Sequence, residues 1–180
     1  MDVKLGTGRA TGMFYHAAKG TALPTDPSAS IPAAWTHVGD VSDAGITLAL
    51  NKTSNNLRNW ANVIKRVIMT DHSETIQAPI MDTVEESLKT VVGSKNVTKA
   101  TSIVTVNLSD GDLPAEEAFL FVMKDGDDLI MIGCTSGQVT AVENVSFAPG
   151  AAINWTPTIT ATGEGFKLIM KEATGATGGT

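Results

Sequence analysis

Residues able to do chemistry are few in this chain, and their spacing keeps them apart. The three histidines, His16, His37 and His72, stand in none of the HxH, HxxH or carboxylate-spaced patterns that give a metal ion two ligands from one element. They read as surface or strand residues. Cys134 is the single cysteine, so no disulfide can form within the chain. It lies in an apolar run with no adjacent base and reads as a small core residue rather than a nucleophile. Asp125, Asp127 and Asp128 could attract a cation, but their run is too short for an EF-hand loop and lacks its closing glutamate, so a turn is expected. Gly6-Thr7-Gly8 has neither the third glycine nor the strand–helix context of a dinucleotide loop. Met69, Met123, Met131 and Met170 fall in apolar strands, where a thioether fills core or interface. No nucleophile–base or acid–base constellation emerges. The sequence therefore predicts neither an enzyme nor a cofactor or metal site.

As for the scaffold, 180 residues with 42% apolar content can bury a real core, and one domain over 1–171 is expected. The 17 glycines and the short apolar runs favour an all-β class. No stretch approaches the roughly 18 consecutive apolar residues of a membrane span, and MDVKLGTGRATG lacks a signal core, so synthesis in the cytoplasm is expected. The net charge of −6, from 13 basic and 19 acidic residues, argues against a surface that grips nucleic acid through its phosphates. It does not argue against a surface that DNA must pass without sticking.

Residues 75–93, TIQAPIMDTVEESLKTVVG, organise the chain because the apolar period changes within them. Ile76, Ala78 and Ile80 alternate with polar residues or proline, as in a strand. Val84, Leu88, Val91 and Val92 then recur on one helical face, with Glu85, Glu86 and Lys89 opposite. Asp82 and Glu85 have capping-box spacing and Gly93 supplies a stop, which predicts a helix over 82–92. Three turns are marginal alone, so the stripe must lie on a sheet. Strands are expected at 35–42, 46–51, 139–147, 153–161 and 166–171, with a shorter one at 103–106, and at 63–70, where the apolar residues fall on both parities. A turn is expected at 71–74, and an exposed connection at 51–59 (NKTSNNLRN), ended by Trp60. The runs AFLFVM (118–123) and LIMIGC (129–134) are continuously apolar and joined by a hairpin connection. Both faces of these strands must therefore be covered, the second by the helix or by another subunit. Residues 1–12 read as an arm and 172–180 as a flexible tail. Residues 18–34, punctuated by Pro24, Pro27 and Pro32, form a long loop that cannot be helical. Its Leu23 and Ile31 predict docking, and its composition predicts that neighbouring subunits order it.

The block GMFYHAAKGTALPTDPSASIPAAWTHVGDVSDAGITL, the following Asn59-Trp60, the strand–helix TIQAPIMDTVEESLKTVVG and the closing NWTPTITATGEGFKL resemble the major tail tube proteins of long-tailed, non-contractile bacteriophages, from about residue 12 to 170. The resemblance implies an antiparallel β-sandwich or partly closed barrel with one flanking helix, in the virion tail. It implies six subunits joining their sheets into a ring around a channel, rings stacking into a tube, and double-stranded DNA passing through. The tape measure, tail terminator and distal tail proteins would be its partners. Phe14, Tyr15, Leu23, Ile31 and Trp35 are then the candidates for contacts within and between rings. Asp110, Asp112, Glu116, Glu117, Asp125, Asp127 and Asp128, the densest acidic region, are candidates for the channel wall or another outer surface. The alternative reading is an Ig-like sandwich that decorates a virion or cell surface.

Overall fold

The computed structural model describes residues 7–8, 14–125 and 128–171. The expected arm, apart from Thr7–Gly8, the tail 172–180 and Asp127 lie outside the described residues. Along the chain run β1 (Thr7–Gly8), β2 (Phe14–Ala18), β3 (Thr36–Gly39), β4 (Thr47–Arg58), β5 (Ile64–Gln77), α1 (Glu85–Val92), β6 (Val97–Ala100), β7 (Ile103–Val106), β8 (Glu117–Asp125), β9 (Asp128–Val142), β10 (Pro157–Ala161) and β11 (Lys167–Lys171). The fold is all-β and sandwich-like, with one helix and sheets that do not close. The main sheet has the order β3-β2-β8-β9-β10-β5-β4, with β1 added to β8 and β11 to β9, while β6 and β7 pair separately. Every pairing is antiparallel.

Strand β9 changes partner along its length. Its first half pairs with β11, Gly133 opposite Lys167, and its second half pairs with β10, Gly137 opposite Ala161. A register shift between Glu117 and Phe119 loosens its pairing with β8 where the partner changes, and such bulges increase local twist. The separate strand expected at 139–147 is instead the end of this 15-residue strand. The two continuous apolar runs place Phe119, Phe121, Ile132 and Cys134 in a larger core with Phe14, Ile76, Leu88, Val91 and Ile159. Ala118, Leu120, Val122 and Met131 face the other way into a smaller core with Ala17 and Trp35. Leu23 and Ile31 from the long loop, together with Tyr15, pack on this smaller core. The second face is thus covered by the chain's own loop.

The helix begins later than its spacing suggests. Asp82 does not cap it, because its carboxylate accepts the Asp40 backbone N–H at 2.7 Å. Val84 holds the cap position, with Ser87 Oγ accepting its N–H at 3.0 Å and donating to the Asp82 carbonyl at 2.6 Å. The cap shifts by two residues, so Val84 is half exposed and the buried face is Ser87, Leu88, Thr90 and Val91. Gly93, at φ +88°, ends the helix as expected. His16 stands between the sheet and the helix: its Nδ1 lies 2.9 Å from Glu117 on β8, while its Nε2, 3.6 Å from Glu86 on α1, has no hydrogen-bond partner among the described residues.

The long loop is also anchored by charge. Lys171 on β11 reaches both Asp26 carboxylate oxygens, at 3.2 and 3.1 Å, and the Ser28 hydroxyl at 2.6 Å. Hydrogen bonds from the Ser28 hydroxyl and amide, then from Lys171, lower the Asp26 pKa from 3.8 to about 2. A carboxyl whose pKa is lower when docked stabilises docking fully above its free value and loses that contribution as pH falls. Protection of the amides of residues 20–34, their exchange corrected for its intrinsic pH dependence, is therefore expected to stay constant down to about pH 4 and then to fall toward pH 2. Asp26→Asn should lower that protection at neutral pH and remove its pH dependence. Identical exchange in wild type and variant would show that the contact does not hold the loop.

Candidate assembly surface

The longest feature without cover is the β4–β5 hairpin. Residues 51–59 are exposed as expected, but 51–58 form strand rather than a loose connection. Asn51 pairs with Ser73, Asn55 with Ile68 and Asn56 with Val67. Strand pairing uses backbone groups, so polar side chains do not prevent it when the opposite strand is rich in β-branched residues. For the same reason β5 runs unbroken through the expected turn at 71–74. The tip is closed by Asn59, whose Oδ1 accepts the Val63 N–H at 2.9 Å, and by Arg58, which donates to the Asn62 carbonyl at 2.9 Å.

Every residue from 50 to 72 is exposed. The eight residues 51–58 reach about 25 Å beyond the body at about 3.3 Å per residue. Cross-strand partners share a face, so Met69 with Ser54 and Val67 with Asn56 lie on one side. Ile68 with Asn55 and Leu57 with Arg66 lie on the other. Both faces thus carry large apolar side chains, and Trp60 at the tip is fully exposed. A two-stranded ribbon is marginal in water, and contiguous exposed apolar surface marks an interaction site.

Charge separates the hairpin from the body. Residues 51–72 hold four of the thirteen basic side chains, Lys52, Arg58, Lys65 and Arg66, and only one of the nineteen acidic ones, Asp71. On the body, Lys89 pairs with Glu85 and Glu86, Lys99 with Glu85, Lys95 with Asp110 and Asp112, Lys19 with Glu116, and Lys167 with Glu164. Among the described residues, Lys65 and Arg66 have no such carboxylate partner.

The acidic candidates do not form one patch. Glu116 and Glu117 stand at the start of β8 and Asp128 at the start of β9, beyond the far end of β8, about 25 Å away along the strand. Glu117 is bound by His16 and Glu116 by Lys19. Asp110 and Asp112 sit on the loop before β8, 2.8 and 3.0 Å from Lys95. Lys95, then the Asp112 amide, hold the Asp110 pKa at about 2. The side chains of Asp125 and Asp127 lie outside the described residues. Of the contact candidates, Phe14 and Trp35 are 0% and 5% exposed, inside the subunit's own cores, so they have almost no surface to offer a partner. Tyr15, Leu23 and Ile31 are half-buried.

The charged loop borders a groove of about 250 Å³ between α1 (Val91, Val92), Leu108 and Leu113 of the 107–114 segment, and Val139 and Val142 of β9. Leu108, Leu113 and Val142 are exposed there. Cys134 is buried and burial pushes its thiol up to about 11, the opposite of activation. Among the described residues no group of three His, Cys, Asp or Glu side chains could hold a metal ion, and no helix is long and apolar enough to cross a membrane.

A family model described as phage tail tube protein matches residues 8–174. The chain belongs to the phage tail tube protein family. This tail tube protein is therefore a structural component of the virion tail and not an enzyme. No curated protein matches it. Among solved structures it is similar to the anti-feeding prophage cap, a tube terminating cap, with 9% identity, 96% of this chain and 97% of that chain covered, and a TM-score of 0.45. A likeness that distant carries nothing about function. Sequence reasoning found the family from its blocks but missed the hairpin arm; the signal was the two-parity apolarity of residues 63–70.

Proposed function

We propose that this tail tube protein assembles as hexameric rings that stack into a tube, and that the tube conducts double-stranded DNA into the host cell. Membership of the family supports self-assembly, and the apolar hairpin standing clear of the subunit supports burial by other copies. Residues 1–171 act as one tail-tube domain. Ring closure extends the sheet from subunit to subunit. The outer edge of β11 has no strand partner among the described residues, and an unpaired edge is a template for another chain. With Phe14 and Trp35 inside the cores, Tyr15, Leu23 and Ile31 are the remaining contact residues. The tape measure, terminator and distal tail proteins are the partners of the assembled tube. Repeating the acidic excess six-fold favours a net negative channel wall. DNA carries about one charge per 1.7 Å of axis and would slide past such a wall rather than bind it.

Negative-stain microscopy of the purified full chain tests this reading. Rings or tubes with a central channel are expected as concentration rises. A protein that stays monomeric at every concentration would instead fit a decorating sandwich module, and a structure of the tube with a basic lumen would remove the channel argument.

A further inference from the structure

We propose that the tip of the β4–β5 hairpin seats in the groove between α1, the 107–114 segment and β9 of a second copy, with Trp60 as the apolar anchor and one of Lys65 and Arg66, which point to opposite faces of the arm, facing the acidic rim. The inference rests on the tail tube reading and goes further by naming the two matching surfaces.

Three observations converge. The arm is apolar on both faces and ends in a fully exposed Trp60, and an aromatic anchor in a pocket is the typical centre of an interface. The groove, at about 250 Å³, is on the scale of one large aromatic side chain, and its exposed Leu108, Leu113 and Val142 have the matching chemistry. Charge then selects the partner. Lys65 and Arg66 are unpaired among the described residues, whereas the groove's rim bears Asp110 and Asp112, which share the single cation of Lys95. Two carboxylates on one ammonium leave a net negative charge for a basic arm to meet, which favours correct encounter and register. A second copy supplies this groove on every subunit it brings. Contact between different surfaces of identical chains is heterologous, the arrangement that propagates rings and open helical tubes.

The test mixes two full-length variants before assembly, one carrying Trp60→Cys and the other Leu108→Cys, so that any disulfide between these positions joins two copies. A reductant-sensitive covalent dimer in the assembled fraction is expected, and no such dimer from Trp60→Cys mixed with Ser28→Cys. Trp60→Ala, and separately the double variant Lys65→Glu with Arg66→Glu, should raise the concentration needed for assembly at least about tenfold, a loss within the range of a truncated interface anchor, without changing the thermal melt of the monomer. Adding Asp112→Lys to the double variant should recover part of that loss. Assembly of Trp60→Ala at wild-type concentration, or tubes from the Trp60→Cys and Leu108→Cys mixture that lack the covalent dimer, would overturn the inference while leaving the tail tube function standing. So would a double variant that assembles normally but loses retention of double-stranded DNA, since the cations would then serve nucleic acid. A wild-type chain that never assembles would overturn both.

Discussion

Replacing Phe14 by alanine is expected to destabilise the unassembled subunit by about 3–5 kcal/mol, the range for emptying a buried aromatic site. Phe14 is wholly buried, and its ring stacks on Phe121 with centroids 4.4 Å apart and planes 10° from parallel. A second contact, tilted, reaches Phe119 at 6.1 Å. Such pairs add to simple area burial. The neighbours cannot collapse into the vacated space, because Phe14 sits in a central strand with β3 on one side and β8 on the other. Both of those backbones are fixed by the ladder. Trp60→Ala removes a larger side chain, yet it should change the monomer by less than about 0.5 kcal/mol, since that ring is fully exposed to solvent. Urea titrations of the two variants below the assembly concentration measure the contrast. A Phe14→Ala cost under about 1 kcal/mol, well below the range for such a site, would mean that the stacked triad does not hold β2 in the sheet.

That contrast also marks how far the sequence can be read. Continuous apolar runs announce strands covered on both faces, and for β8 and β9 the announcement is correct within one subunit, with Phe119 and Phe121 on one side and Leu120 and Val122 on the other. Residues 63–70 carry a related signal, apolar residues on both parities, but nothing among the described residues covers them. Periodicity reports that a face is buried and says nothing about whose atoms bury it. The opposite error arises in the long loop. Its prolines and polar residues suggest order borrowed from neighbours, whereas Leu23, Ile31 and the Asp26–Lys171 pair dock it on its own sheet. Those last two residues stand 145 positions apart, beyond any local pattern. The helix is legible in type and in its glycine stop. Its start is not, because the carboxylate that should cap it is committed to Asp40 across the sheet. The hairpin's register is likewise hidden, since asparagines that mark loops in isolation serve here as the exposed side of a ladder.

The long loop's docking depends on a residue with no side chain, and this makes Gly133→Ala the second large effect expected in the subunit. A methyl group at this position would lie 2.6 Å from the Phe119 carbonyl oxygen, 2.9 Å from Leu23 Cδ2 and 3.2 Å from Leu120 Cδ1. The first contact is with backbone held in the β8–β9 ladder, beside the register shift between Glu117 and Phe119, so it cannot be relieved by a rotamer change. Overpacking of this kind costs about 1–3 kcal/mol and more where backbone must move. The second contact is with the loop, so loss of stability and loss of loop docking should come together, with faster amide exchange over residues 20–34. Gly111→Ala is the fitting control, because nothing lies within 4 Å of its added methyl, and it should shift stability by no more than about 1 kcal/mol. Trimming the loop side with Leu23→Ala relieves only the softer clash, so the double variant Gly133→Ala/Leu23→Ala should remain destabilised. If the double variant recovered wild-type stability, the limiting contact would be Leu23 and not the carbonyl of Phe119. Glycine would then be required at 133 by the loop rather than by the β8–β9 ladder.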